Sequence, residues 1–93
     1  MKLPYPEFEL TDSAYRHGFG DEDFAQMLRG RHIVIRNRRG KLIGYEVFGQ
    51  NGGGAYLLAA GRVVQSETRT MFRVFHLDRM TDAERRRFRG WAG

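Results

Sequence analysis

An α+β domain is predicted across residues 1–93: two short N-terminal helices, a four-stranded antiparallel meander sheet and a C-terminal helix. Three observations predict it. Between His32 and Leu77, apolar and β-branched residues alternate in four runs separated by short turns. Asp21, Glu22 and Asp23 open a helical run that Gly30 ends, and carboxylates in a first turn suit the helix dipole. Thr81 and Glu84 have the spacing of a capping box, in which the hydroxyl accepts from the amide three residues on and the carboxylate accepts from the amide of Thr81.

In chain order, residues 12–17 make a short first helix, with Thr11 or Asp12 as its cap and Gly18 as its stop. The second helix, Asp21 to Arg29, carries Phe24, Met27 and Leu28 as a buried stripe at i, i+3 and i+4. The first strand is His32 to Arg38, where Ile33 and Ile35 alternate with His32, Val34 and Arg36, and Arg39-Gly40 is a turn. The second is Leu42 to Phe48, with Ile43, Tyr45 and Val47 on one side. Asn51-Gly52 signals a hairpin within the glycine-rich segment from Gly49 to Gly54. The third strand is Ala55 to Val64, with a bulge suggested at Gly61, and the fourth is Thr70 to Leu77. Strict alternation divides the fourth into Arg73, Phe75, Leu77 and Phe72, Val74, His76. Both sets are partly apolar, which predicts a central strand buried on both sides. Short connections imply antiparallel pairing, and the helices are expected to cover one face of the sheet.

Ninety-three residues suffice for a single domain with a small core. A hydrophobic content of 41% argues against disorder. The chain has no cysteine, which excludes a disulfide framework and a cysteine zinc site and suits a reducing compartment. Pro4 and Pro6 among polar residues do not resemble a secretory leader, and the longest apolar run, Ala55 to Ala60, is too short to span a bilayer. A cytoplasmic protein without a membrane partner is expected. Charge is uneven: residues 1–23 hold six acids and two bases, whereas residues 24–93 hold fourteen bases and five acids. Fourteen of the sixteen bases are arginine, whose planar fork binds phosphate at two points. A basic body of this kind suits RNA, DNA or an acidic protein, and equally a solvated surface.

Two blocks carry a family resemblance. The first is Arg16-His17-Gly18, the acidic helix from Asp21 to Leu28, then Arg29-Gly30. The second is Arg73-Val74-Phe75-His76-Leu77-Asp78, then Met80-Thr81, Glu84-Arg85 and Phe88, and Gly61-Arg62 resembles a Gly-Arg pair that begins a strand in the same family. Together they resemble the BrnT-type toxins of bacterial toxin–antitoxin pairs, within the RelE-like ribonuclease superfamily, over roughly residues 8–88. Asp78 stands where that family usually has arginine, and Phe88 where it often has tyrosine. The resemblance implies a metal-independent endoribonuclease that blocks translation or, since those two changes remove a cation and a hydroxyl, a catalytically silent protein of the same fold that binds nucleic acid or a protein partner. It further implies RNA as substrate, a cognate antitoxin protein as partner, and assembly as a homodimer or a toxin–antitoxin heterotetramer. No cofactor is implied.

Such cleavage needs a base for the ribose 2′-hydroxyl, a cation for the charge developing at phosphorus, and an acid for the leaving 5′-oxygen. His76 suits the base or the acid, or is a core histidine bonded to a backbone carbonyl. His17 either joins the chemistry or stabilises a helix terminus. Arg73 is the first choice for the phosphate cation, followed by Arg62 and Arg79. Within the fold, Arg73 would otherwise pair with Glu46, Glu67 or Asp78. Glu67, in the loop before the fourth strand, is a second acid–base candidate. Arg85, Arg86, Arg87 and Arg89 make a charged helix face suited to phosphates, to an acidic antitoxin or to solvent. The three histidines give no local ligand pair, so no metal site is expected.

Overall fold

The computed structural model describes residues 7–39, 42–65 and 67–92, an α+β arrangement of a five-stranded mixed sheet and three helices. The elements are β1 Phe8–Leu10, α1 Asp12–Tyr15, α2 Asp21–Arg29, β2 His32–Arg39, β3 Leu42–Gln50, β4 Tyr56–Gln65, β5 Thr70–Arg79 and α3 Asp82–Ala92. Sheet order is β1-β5-β4-β3-β2. From β2 to β5 the strands form the expected antiparallel meander. Gly40, in the expected Arg39-Gly40 turn, lies outside the described residues, as do Pro4 and Pro6.

Three features correct the sequence reading. The sheet has a fifth strand, β1, parallel to β5 through Phe8↔Phe72, Glu9↔Arg73 and Leu10↔Val74. A three-residue strand shows no usable period. What anchors it is tertiary: the Phe72 amide donates to the Glu7 carbonyl at 2.9 Å, and the Phe8 ring meets Phe24 edge-on at 4.8 Å. Secondly, helices cover both faces of the sheet. Ala14 of α1 and Phe24 and Met27 of α2 pack with Val34, Val47, Leu57, Ala59, Phe72, Val74 and Leu77 on one face. On the other, Phe88 of α3 packs with Phe48 and Leu58, bordered by Ile33, Ile35 and Tyr56. Adjacent apolar residues such as Val47 and Phe48 point to opposite faces, so each face needs its own cover. The third correction is that β5 is buried on one side only, because Phe75 is exposed and Arg73 and His76 are half-buried.

Caps hold the helices as the sequence suggests, α1 excepted. The Thr81 amide donates to Glu84 Oε1 at 2.8 Å and the Glu84 amide to Thr81 Oγ1 at 3.2 Å, completing the box at the start of α3. At α2 the Gly20 amide donates to Asp23 Oδ2 at 2.8 Å. Thr11 precedes α1 without a side-chain cap bond. The glycine-rich loop is tied to α2: Asn51 Nδ2 donates to Asp23 Oδ1 at 3.0 Å and the Gly52 amide to Gln26 Oε1 at 2.7 Å.

The β4–β5 ladder shifts register between Ala60 and Gly61, where the sequence suggested a bulge. Ala60 pairs with His76 and Gly61 with Val74, so Phe75 is the extra residue, on β5. Gly61 makes room for this kink. A methyl group there would collide with the Arg73 carbonyl oxygen and lie 2.8 Å from Phe72 Cζ. Gly61→Ala is therefore expected to destabilise the domain by about 1–3 kcal/mol, read as a lowered urea midpoint.

Candidate functional site

The bulge decides which side chains share a face. Up to Val74, even-numbered residues of β5 enter the core beneath α1 and α2. Past Phe75 the parity reverses and Leu77 is the core residue. Arg73, Phe75, His76 and Asp78 consequently share the opposite face, the one that α3 covers only around Phe48 and Leu58. Across this face run two rows. Glu9, Arg73, Arg62 and Gly44 align from β1 to β3, and His76, Ala60 and Glu46 align from β5 to β3. Val64 and Met71 continue the face beyond the first row, and an open cleft of about 630 Å³ there is lined by Glu9, Arg62, Arg69 and Arg73.

His17 joins His76 from the side. β1 stops pairing at Val74, so α1 and the turn after it run past the free edge of β5. His17 lands there with its ring centroid 5.7 Å from that of His76 and the planes at 67°. Its Nδ1 lies 3.4 Å from Asp78 Oδ2, and both side chains are 37% exposed. His76 has no hydrogen-bond partner among the described residues, so it is not the carbonyl-bonded core histidine that the sequence allowed. Nor does His17 close a helix: α1 ends at Tyr15, and His17 faces Asp78 instead. Nearby, the Tyr15 hydroxyl donates to Asp21 Oδ1 at 2.6 Å, which holds the phenol above its ordinary value.

Arg73 has an internal partner, but none of those the sequence suggested. Its Nε lies 2.5 Å from Glu9 Oε1, across the β1–β5 pairing that the sequence reading lacked. Both side chains remain more than 40% exposed, so the pair is open to a ligand. Arg62 is exposed and forms no ion pair among the described residues. Arg79 is separated from this group. It lies on the α1–α2 face with its guanidinium 5.6 Å above the Phe19 ring. Glu67 is exposed in the β4–β5 hairpin loop. His76 lies six positions along β5 from Thr70, roughly 20 Å, so Glu67 does not share a reacting atom with the histidines.

The arginines of α3 divide into two flanks. Arg85 and Arg89 lie 5.7 and 5.9 Å from the Tyr56 ring, beyond Leu58 at the end of β4 away from Ala60 and Arg62. Arg85 also meets Asp82 at 3.6 Å. Arg87 covers Trp91 at 5.0 Å, and Arg86 is exposed. Phe88 is 4% exposed and packs edge-on against Tyr56, a role in the core rather than in the site.

The face thus holds two imidazoles with a carboxylate beside one and two guanidiniums in a row, with Arg69 lining the cleft at one end. Among the described residues no group of three His, Asp or Glu side chains is arranged to hold a metal ion. No described helix is long and apolar enough to cross a membrane. No protein-family model and no curated protein matches this chain.

Proposed function

We propose that this chain is a toxin-type endoribonuclease of the BrnT-like kind, cleaving RNA by acid–base chemistry and neutralised by a cognate antitoxin. The observation that carries this reading is the pair of His17 and His76, 5.7 Å apart on the same face as Arg73. One imidazole takes the proton of a ribose 2′-hydroxyl, and that oxygen attacks the adjacent phosphorus. The bond from phosphorus to the 5′-oxygen breaks, and the other imidazole gives its proton to the leaving oxygen. The products are a 2′,3′-cyclic phosphate and a 5′-hydroxyl, so neither water nor an oxidant is consumed. Arg73 and Arg62 supply positive charge where the phosphoryl oxygens become more negative. Asp78, 3.4 Å from His17 Nδ1, orients that ring for its part in the proton transfer. Arg85 and Arg89, across α3 from the row of Arg73 and Arg62, offer an acidic antitoxin a docking edge.

The test is incubation of the purified protein with RNA in EDTA. Cleavage that leaves cyclic-phosphate ends is expected. Intact RNA at micromolar protein rejects the enzyme.

A second reading, binding without cleavage, is favoured by the anions on the same face. Glu9 engages Arg73, and Asp78 stands where the family's arginine would be. It predicts a salt-sensitive complex with uncut RNA. Restoring both family residues with Asp78→Arg and Phe88→Tyr would then create nuclease activity. The second change buries a hydroxyl beside Phe48 and Leu58 and costs about 1–3 kcal/mol of stability.

A further inference from the structure

We infer that Phe75 is a stacking platform for an unpaired nucleobase, so that the substrate is single-stranded RNA gripped by base and phosphate together. This rests on the RNA reading above and deepens it. Among the described residues three large hydrophobic side chains are exposed: Tyr15, Phe75 and Trp91. Two are already engaged. Tyr15 is held through its hydroxyl by Asp21, and Trp91 lies edge-on against Phe48 with Arg87 above it. Phe75, 46% exposed, contacts no other ring and no cation among the described residues.

Its position is set by the bulge. Phe75 is the residue of β5 left without a partner on β4, and the shift places it on the face of Arg73 and His76. Bulges recur beside active sites because they re-aim one side chain while the ladder continues on both sides. Here the kink is held by Gly61, the residue whose side-chain-free surface lets β5 approach. Arg73 precedes Phe75 by two residues, about 7 Å along a strand. His76 follows it directly. A phenyl ring between a phosphate-binding guanidinium and an acid–base imidazole can hold the base of the nucleotide whose phosphate reacts. Stacking of this kind is indifferent to base identity but needs a base that is not paired, because a duplex buries both faces of each base.

The test uses a short 2′-O-methyl oligoribonucleotide, which lacks the attacking hydroxyl and stays intact, as a single strand and as a duplex. Phe75→Ala is expected to weaken single-strand binding roughly 5- to 150-fold, the range for loss of one base–aromatic stack. Duplex binding and the salt dependence of single-strand binding stay unchanged, because no cation is lost. Phe75→Tyr and Phe75→Trp retain affinity, whereas Phe75→Leu, apolar but not planar, behaves like alanine. A urea midpoint within the range of ordinary surface substitutions verifies that the fold survives. If Phe75→Ala binds the single strand as tightly as the parent, or Phe75→Leu does, the platform is overturned while the RNA reading stands. If the parent protein binds neither single strand nor duplex at low salt, both fall together.

Discussion

If the proposed ribonuclease reading holds, His76→Ala is expected to slow RNA cleavage by about 100- to 10,000-fold, the usual contribution of one acid–base group. His17→Ala produces a loss of the same order. Neither change perturbs stability by more than about 0.5 kcal/mol, because neither ring fills the core or holds a buried hydrogen bond. The double variant is expected to lose far less than the product of the two single losses, since proton removal and proton delivery serve one displacement. The measurement is initial cleavage rate, with a urea titration on each variant. Full activity in His76→Ala would remove the enzymatic reading whatever else the protein binds.

Sequence alone located the strand that carries the proposed site but could not place its side chains. Strict alternation sends Arg73 and His76 to opposite faces, since they are three residues apart. Only the extra residue at Phe75 brings them to the same side. The local signal for that kink was Gly61 on the neighbouring strand, which marks where a bulge sits but not which strand carries the surplus residue. The same limit explains the misjudged burial of β5. Phe75 looked like part of a second apolar face, whereas it is 46% exposed. His17 was legible as a residue type in a motif, but its meeting with His76 depends on where β1 ends, and β1 itself was invisible at three residues. Capping, by contrast, is local. The Thr81–Glu84 box and the ends of α2 were readable because the partners lie within four residues of one another. Long-range pairing also decides the partner of Arg73. Glu9 lies sixty-four positions away, and no spacing rule reaches that far.

Arg73 and Glu9 form one ion pair whose two halves are expected to respond in opposite directions. Arg73→Ala removes the guanidinium that shares the face of His76 and should slow cleavage about 100-fold, on the scale of one well-aimed donor at a developing charge. It also leaves Glu9 as an uncompensated anion on the binding face, which weakens RNA binding further. Glu9→Gln keeps the shape of the side chain but removes its charge. Arg73 then meets phosphate without a competing carboxylate, so RNA binds more tightly at low salt. The slope of log affinity against log salt steepens by up to about 0.7, the equivalent of one more single-strand phosphate. Stability changes little in Glu9→Gln, because both partners are more than 40% exposed and such pairs contribute about 0–1 kcal/mol. The two variants together separate ligand binding from architecture. If the pair only pinned β1 to β5, both substitutions would lower the urea midpoint and neither would change the salt slope. If the pair guards a phosphate site, the midpoints stay close to the parent's and the RNA affinities move apart, down for Arg73→Ala and up for Glu9→Gln.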